Sequence, residues 1–201
     1  MPTPWLKKIR DTGKLTVYNG GAEWKTAIEK AIATFNSLGF PVTLAAESNI
    51  DSANIVVKLA KGADKHTFKS SYYGDPTVKT SAKFNPAFPH GDTRVVVDPD
   101  RNEVVFAVTF LPGKIERPSD GLKEVVVVHE FIHGCGLDGG RGPGKKADSG
   151  QDHDTEGIMY DVMRTTLDGL IEGNNKDEKK SMPPIRVGGK TRSNIVSIWK
   201  Q

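Results

Sequence analysis

Hydrophobic and polar residues follow two different periods along the chain. From residue 22 to residue 38, apolar side chains recur every three or four positions and Gly39 follows them, which predicts an amphipathic helix. Five other segments are short and rich in β-branched or aromatic residues, which is typical of strands. They are residues 15–18, 42–44, 54–59, 93–97 and 104–110. The pattern therefore predicts a protein of mixed helix and strand.

Two further helices are predicted in the second half of the chain. One runs from about residue 121 to residue 136, and either Ser119 or Asp120 can cap its first turn. Residues 125–128 are all valine, which by itself prefers strands, so this helix is predicted mainly from the motif that follows the valines. The other helix lies near residues 191–200, and the side chains expected to pack are Ile195, Ile198 and Trp199.

Residues 129–133 read His-Glu-Phe-Ile-His. Positions four apart lie on one face of a helix, so His129 and His133 can offer two imidazoles to a single metal ion. Glu130, about 100° round the helix axis, stays near enough to reach a water on that metal. This is the H-E-x-x-H arrangement of zinc hydrolases. A helix ending at Gly136 can then take a left-handed turn, which would bring a third ligand back to the metal.

Further downstream, residues 157–160 read Gly-Ile-Met-Tyr. With this segment the chain resembles the metzincin zinc metallopeptidases, most closely the matrixin-like branch. The family pattern is H-E-x-x-H-x-x-G-x-x-H, followed by a tight turn that carries a methionine under the metal. The matched positions are His129, Glu130, His133, Gly136 and Met159. The resemblance is specific in its motifs over about residues 119–163 and architectural elsewhere.

The third ligand of the family pattern is not at its usual place. Gly139 occupies that position, and the next histidine is His153, 20 residues after His133. One interpretation is a 14-residue, glycine-rich insertion at residues 139–152 that displaces the ligand to His153. A second is an aspartate ligand in place of the histidine, and a third is a degenerate site. The aspartate candidates are Asp138, Asp152 and Asp154.

The resemblance also implies a fold and a division of the chain. Metzincin-like enzymes are α+β proteins, with a twisted mixed β-sheet and an active-site helix above a cleft and a smaller, irregular C-terminal subdomain below it. By this comparison residues 1–201 form a single metallopeptidase catalytic domain. Its upper subdomain would comprise about residues 1–138, and its lower subdomain about residues 139–201.

The implied activity is zinc-dependent endopeptidase cleavage of proteins or peptides, with one catalytic Zn²⁺ bound by His129, His133 and His153. Glu130 would act as the general base toward the metal-activated water. Met159 would form an apolar floor beneath the ligands. Tyr160 would line the substrate pocket or stabilise the intermediate, and an ordinary packed tyrosine is the alternative. The matrixin branch has proline after this tyrosine, whereas Asp161 follows here, so the pocket wall departs from the family pattern.

Two other functions remain open. One is a zinc-binding protein with a degenerate, catalytically inactive metzincin-like site, for which the changed spacing of the third ligand is the best argument. The other is a different zinc hydrolase, which would use a downstream glutamate, Glu156 or Glu172, as its third ligand.

Composition limits the classes of partner. The 201 residues carry a formal charge of +3 without a basic run, so nucleic acid is not expected as a partner. No apolar stretch approaches the roughly 20 residues of a membrane span, and residues 1–10 are charged where a signal peptide would be apolar. We expect a monomer. The compartment is left open, although the family resemblance suggests secretion.

Two remaining features concern cysteine and calcium. Cys135 is the sole cysteine, which rules out an intrachain disulfide, and a small buried residue is its expected role. Residues 98–103 read Asp-Pro-Asp-Arg-Asn-Glu, a composition that favours a turn. The same segment faintly resembles a calcium loop that would hold a structural Ca²⁺, but it lacks the glycine that an EF-hand loop needs at its sixth place, so the plain turn is favoured.

Overall fold

The computed structural model describes residues 2–61, 64–68, 77–80, 91–113, 120–137 and 185–200. The helices in these ranges are α1 (Lys7–Arg10), α2 (Lys25–Ser37), α3 (Asp120–Ile132) and α4 (Gly189–Trp199). The strands are β1 (Lys14–Gly20), β2 (Thr43–Glu47), β3 (Ile55–Ala60), β4 (Asp64–Thr67), β5 (Thr77–Thr80), β6 (Asp92–Asp98) and β7 (Glu103–Pro112).

Five of the strands form a mixed sheet in the order β2-β1-β3-β7-β6. The pairs β1–β2, β1–β3 and β3–β7 are parallel, whereas β6 runs antiparallel to β7, with an irregularity between Val96 and Val97. Strands β4 and β5 pair separately as an antiparallel two-stranded sheet. A mostly parallel sheet combined with helices makes this a mixed α/β architecture, which is compatible with the α+β class predicted from the sequence.

The core lies between the sheet and the helices that pack on it. Helix α2 buries one face, made of Ala27, Ile28, Ala31 and Phe35, and packs against α3. Helix α3 buries all four valines of residues 125–128. A helix that is apolar around much of its circumference belongs in an interior. Burial therefore overrides the strand preference of the valine run.

All five strands predicted from the sequence are present, as β1, β2, β3, β6 and β7. The segment between β6 and β7 is a turn, as predicted: the Asn102 amide donates to the Asp98 carbonyl at 2.8 Å, and Asn102 has a φ of 52°. The side chain of Asp98 is used within this turn, where its Oδ1 accepts from the Asp100 amide at 2.9 Å.

Two helix boundaries differ from the sequence prediction. The segment predicted from residue 22 starts as a 3₁₀ turn, Ala22–Trp24, and is α-helical from Lys25. The helix predicted to residue 136 is regular only to Ile132 and continues as a π-helical turn, His133–Leu137. That turn contains two glycines, and one of them, Gly136, has a non-helical backbone. Asp120 is the first helical residue of α3, and Ser119 lies outside the described residues.

The C-terminal helix α4 was predicted near residues 191–200. It is present as Gly189–Trp199, and Ile195, Ile198 and Trp199 are all buried, as expected. It packs against the π-helical turn that follows α3. The segments predicted as an insertion, residues 139–152, and as a methionine turn, residues 157–160, lie outside the described residues. The proposed division into two subdomains therefore stays a prediction.

Among the helices in the described ranges, none combines the length and apolar character required to cross a membrane.

Candidate metal centre

Two histidines converge at the C-terminal end of α3. His129 is in the last turn of the helix, and His133 begins the π-helical turn, so the two stand four residues apart. Both are half-buried. Their Nε2 atoms are 3.2 Å apart, and the rings meet edge to face with centroids 4.7 Å apart at 88°. The change from α to π geometry therefore does not separate the two imidazoles that the sequence predicts as a pair.

The distance between the two Nε2 atoms is close to the distance between two nitrogen ligands of one tetrahedral zinc ion. Zinc–nitrogen bonds of about 2.0–2.1 Å in tetrahedral geometry place two nitrogen ligands about 3.3 Å apart. The observed 3.2 Å between His129 and His133 fits two ligands of one zinc ion. Without a metal, the same distance suits a hydrogen bond between a protonated and an unprotonated imidazole nitrogen.

A complete ligand set is not present within the described ranges. No group of three or more His, Cys, Asp or Glu side chains in those ranges is placed to share a metal ion. The predicted third ligand, His153, lies outside them, as do Met159 and Tyr160. The aspartate alternatives, Asp138, Asp152 and Asp154, lie outside them as well. The described part of the chain thus brings together two of the three predicted ligands.

Glu130 is the buried acid of the motif, with 4% of its surface exposed. It faces β6, where the Thr93 hydroxyl donates to its Oε2 at 2.7 Å. The same hydroxyl is 2.9 Å from the hydroxyl of Thr109 on β7. Gly91, just before β6, lies directly against the Glu130 side chain. The carboxylate predicted as general base is thus held between helix and strand.

The turn after His133 is fixed by hydrogen bonds from both ends of the described chain. Three consecutive carbonyls at the end of a helix would otherwise lack intrahelical donors. Each accepts one here: Trp5 Nε1 donates to Gly134 at 2.9 Å, Trp199 Nε1 donates to Cys135 at 3.0 Å, and the Thr3 amide donates to Gly136 at 2.8 Å. The two indoles thus connect the N-terminal segment and α4 to the turn that begins at His133.

Gly136 adopts the left-handed backbone that the sequence predicts, with φ 107° and ψ 13°. A Cβ at this position would collide with the Thr3 carbonyl oxygen and approach Ile198 Cδ1 to 3.1 Å. Glycine is therefore required here both by the backbone angle and by the close approach of the N-terminal segment.

We expect Gly136→Ala to destabilise the protein by at least about 1–3 kcal/mol, the usual effect of a strained backbone, and to weaken zinc binding. Gly39→Ala is the matched control, because Gly39 also has a positive φ of 71° but has no atom within 4 Å of a built Cβ. Denaturant unfolding and zinc titration of both variants check the prediction. Equal losses of stability in the two variants would contradict the role of the Thr3 contact.

Cys135 is fully buried, and burial raises the pKa of its thiol far above the ordinary value. A thiol that stays protonated is a poor metal ligand and a poor nucleophile. The expectation that Cys135 is a small buried residue is confirmed.

The sequence did not reveal several residues that surround the site. Thr93 and Thr109 look like ordinary strand residues in the sequence, because threonine is common in strands. For Trp5 and Trp199 the sequence indicates only that each indole N–H, if buried, should donate to some acceptor, because buried indoles generally do so. The acceptor itself could not be read from the sequence, because Trp5 and Gly134 are 129 residues apart.

No model of a known protein family matches this chain, and no curated protein matches it significantly.

Proposed function

We propose that this chain is a zinc-dependent endopeptidase with a metzincin-like site. The proposal is supported above all by the convergence of the His129 and His133 Nε2 atoms, which are 3.2 Å apart. The buried Glu130 stands between these two histidines in the sequence. Two imidazoles at this separation suit tetrahedral zinc. In zinc hydrolases with this motif, the glutamate after the first histidine is the general base that takes a proton from water.

The fold around the pair supports the same proposal. The site is at the end of a buried helix, next to a mixed sheet whose β6 is antiparallel to its neighbour. A twisted mixed sheet combined with an active-site helix is what the resemblance to metzincins implies. Gly136 supports it further, because its left-handed backbone is what the family pattern needs at this position for a third ligand to follow.

We assign the third ligand to His153. In this assignment residues 139–152 loop out, and loop-closure entropy rises only slowly with the added length. Met159 would lie beneath the ligands, and Tyr160 would line the pocket that receives the substrate. Three protein ligands leave the fourth position of a tetrahedral zinc for water or substrate, as in catalytic sites.

The chemistry then divides between the metal and Glu130. A zinc ion, when bound, supplies a Lewis acid that lowers the pKa of a coordinated water toward about 7. The Glu130 carboxylate takes a proton from the water that attacks the peptide carbonyl. It returns that proton to the amine that leaves when the C–N bond breaks. No serine or cysteine nucleophile is required, in agreement with the inert environment of Cys135.

The test of this function is hydrolysis of a peptide library by the purified chain. We expect internal peptide bonds to be cleaved, cleavage to stop when a chelator removes zinc, and cleavage to return when zinc is added back. Cleavage that persists after the chelator has removed all metal would rule out a zinc enzyme.

A second candidate function is a zinc-binding protein that does not turn over substrate. The observation in its favour is that Gly139 replaces the family's third histidine, so the ligand set departs from the metzincin pattern. One zinc per chain without cleavage of any library peptide would favour it.

A hydrolase that uses Glu156 or Glu172 as the third ligand would instead cleave peptides and lose zinc when that glutamate is replaced.

A further inference from the structure

We propose that Thr93 is a positioning residue for the general base: its hydroxyl donates directly to the Glu130 carboxylate and fixes its orientation, and Thr109 only supports the Thr93 hydroxyl from the neighbouring strand. This inference rests on the proposed function, because it assigns Thr93 a part in the same proton transfer. Neither threonine belongs to the H-E-x-x-H motif.

The three side chains form a continuous buried chain. Glu130 is 4% exposed, Thr93 is 6% exposed and Thr109 is fully buried. The Thr93 Oγ1 lies 2.7 Å from Glu130 Oε2, 3.2 Å from the Glu130 backbone carbonyl and 2.9 Å from Thr109 Oγ1. Hydrogen bonds are stronger in such an interior than in water. The bond to Glu130 can therefore restrict the carboxylate as well as satisfy it.

The direction of the hydrogen bonds follows from counting protons. A hydroxyl has a single proton to donate, and an ionised carboxylate can only accept. The shortest contact of the Thr93 hydroxyl is the one to Glu130 Oε2, so that contact takes the proton. Thr109 must then donate to Thr93. The Glu130 carboxylate thus accepts a hydrogen bond from the Thr93 hydroxyl, and the Thr93 oxygen accepts one from the Thr109 hydroxyl.

The backbone fixes this chain in place. Thr93 on β6 and Thr109 on β7 are direct cross-strand partners in the antiparallel pair. Opposed threonines in such a pair stabilise the sheet through their hydroxyls. The position of the Glu130 carboxylate is thereby tied to the register of two strands instead of to its own rotamer alone.

Gly91 confines the other side of the carboxylate. A Cβ at Gly91 would lie 2.7 Å from Glu130 Cδ and 2.9 Å from Glu130 Oε1, and closer still to Cγ. Such contacts are too short for any side chain to be accommodated without moving Glu130. Gly91 and Thr93, two residues apart, therefore form a cradle for the base, and we call these two residues the Glu130 cradle.

A fixed orientation matters because general-base catalysis needs the acceptor at hydrogen-bond distance from the proton it removes. Misplacement of a catalytic group by about 1 Å can lower the rate about 10²-fold. The histidine ligands are not part of the cradle. The two functions, holding metal and orienting the base, are therefore separable by substitution.

The primary test compares Thr93→Val, Thr93→Ser and Thr109→Val with the parent in peptide hydrolysis. We expect Thr93→Val to lower kcat about 10- to 100-fold, the range expected for losing a hydrogen bond to a charged group. KM and zinc affinity should stay within about twofold, because substrate and metal contacts are kept. Thr93→Ser keeps the hydroxyl and should retain the parent's kcat within about threefold.

Thr109→Val is the structural control for this series. It removes a hydroxyl from the same buried pair but leaves the bond between Thr93 and Glu130 in place. We expect a loss in kcat clearly smaller than that of Thr93→Val. Equal losses in Thr93→Val and Thr109→Val, or no recovery in Thr93→Ser, would mean that the pair acts only on the stability of the sheet and would overturn the proposal.

Gly91→Ala tests the other half of the cradle. We expect kcat to fall about 100-fold while the protein still binds zinc. Gly113→Ala is the control, because a Cβ there meets its neighbours only at an ordinary 3.8 Å. Unchanged kcat in Gly91→Ala would show that the carboxylate does not need this confinement.

Crystal structures of the same variants give a readout that does not depend on turnover. We expect the Glu130 carboxylate to keep its place in the parent and in Thr93→Ser, and to rotate or shift in Thr93→Val and Gly91→Ala. An unmoved carboxylate in both of the latter overturns the positioning role. If the parent binds zinc but cleaves nothing, the proposed function fails, and the positions of the carboxylate still decide whether Thr93 orients it.

Discussion

Glu130→Gln is expected to give a folded protein that binds one zinc ion but hydrolyses peptides about 10² to 10⁴ times more slowly than the parent. The amide has the shape of the carboxylate, and its oxygen can still accept the hydrogen bond from Thr93 that is 2.7 Å long in the parent. What the amide cannot do is take a proton from water at neutral pH. Zinc titration and initial rates on one preparation measure the two properties separately.

Helix α3 offers a matched control for this substitution. Glu124 is half-buried on the same helix, and its Oε1 accepts a hydrogen bond from the Thr34 hydroxyl at 2.5 Å. Glu124→Gln therefore repeats the chemical change in a similar setting away from the histidine pair, and we expect it to retain the parent's rate. Equal cleavage by the parent and by Glu130→Gln would mean that the activity belongs to another site or to a contaminant.

The second large effect is expected at the third ligand. His153→Ala should weaken zinc binding by more than about 100-fold, because even an outer-shell partner of a ligand is worth 10- to 100-fold in affinity. The affinity should be measured by competition with a chelator of known strength. Loss of peptide hydrolysis should follow at zinc concentrations that saturate the parent.

Two aspartates provide the comparison for this prediction. Asp152→Asn and Asp154→Asn remove the charge of the neighbouring carboxylates, and we expect both variants to bind zinc as the parent does. Unchanged affinity in His153→Ala together with a large loss in one aspartate variant would assign the ligand to that aspartate.

Much of the described fold could be predicted from the local pattern of the sequence. The strands now seen as Ile55–Ala60 and Glu103–Pro112 were predicted to within one or two residues, because short buried β-branched runs are a strong signal. Helix α2 was predicted from the spacing of its apolar face. The helical state of residues 125–128 could not be predicted from propensity, because four valines prefer a strand until burial decides otherwise.

The histidine pair is the part of the site that the sequence predicts best. A spacing of four residues fixes His129 and His133 on one side of a helix, and their Nε2 atoms do converge. Gly136 was likewise predicted in a left-handed turn and is found there. Both predictions depend only on local backbone geometry, which a short segment determines.

The surroundings of Glu130 could not be predicted, because they depend on contacts between distant segments. Thr93 is 37 residues from Glu130 in sequence, and its hydroxyl reaches the carboxylate only because β6 pairs with β7 beside α3. Thr93 is the second residue of β6, and the sequence carries no unusual signal at that point. Strand order and tertiary packing, rather than periodicity, therefore decide how the acid of the motif is held.

We propose that one zinc ion at the His129–His133 pair is responsible for peptide hydrolysis. The most direct test measures zinc content and peptide hydrolysis on the same chromatographic fractions of the parent, after graded removal of metal by a chelator. We predict one zinc per fully active chain and a rate that falls in proportion to the zinc that remains. A rate that stays constant as zinc is removed, or a fully zinc-loaded chain without any hydrolysis, would contradict the account.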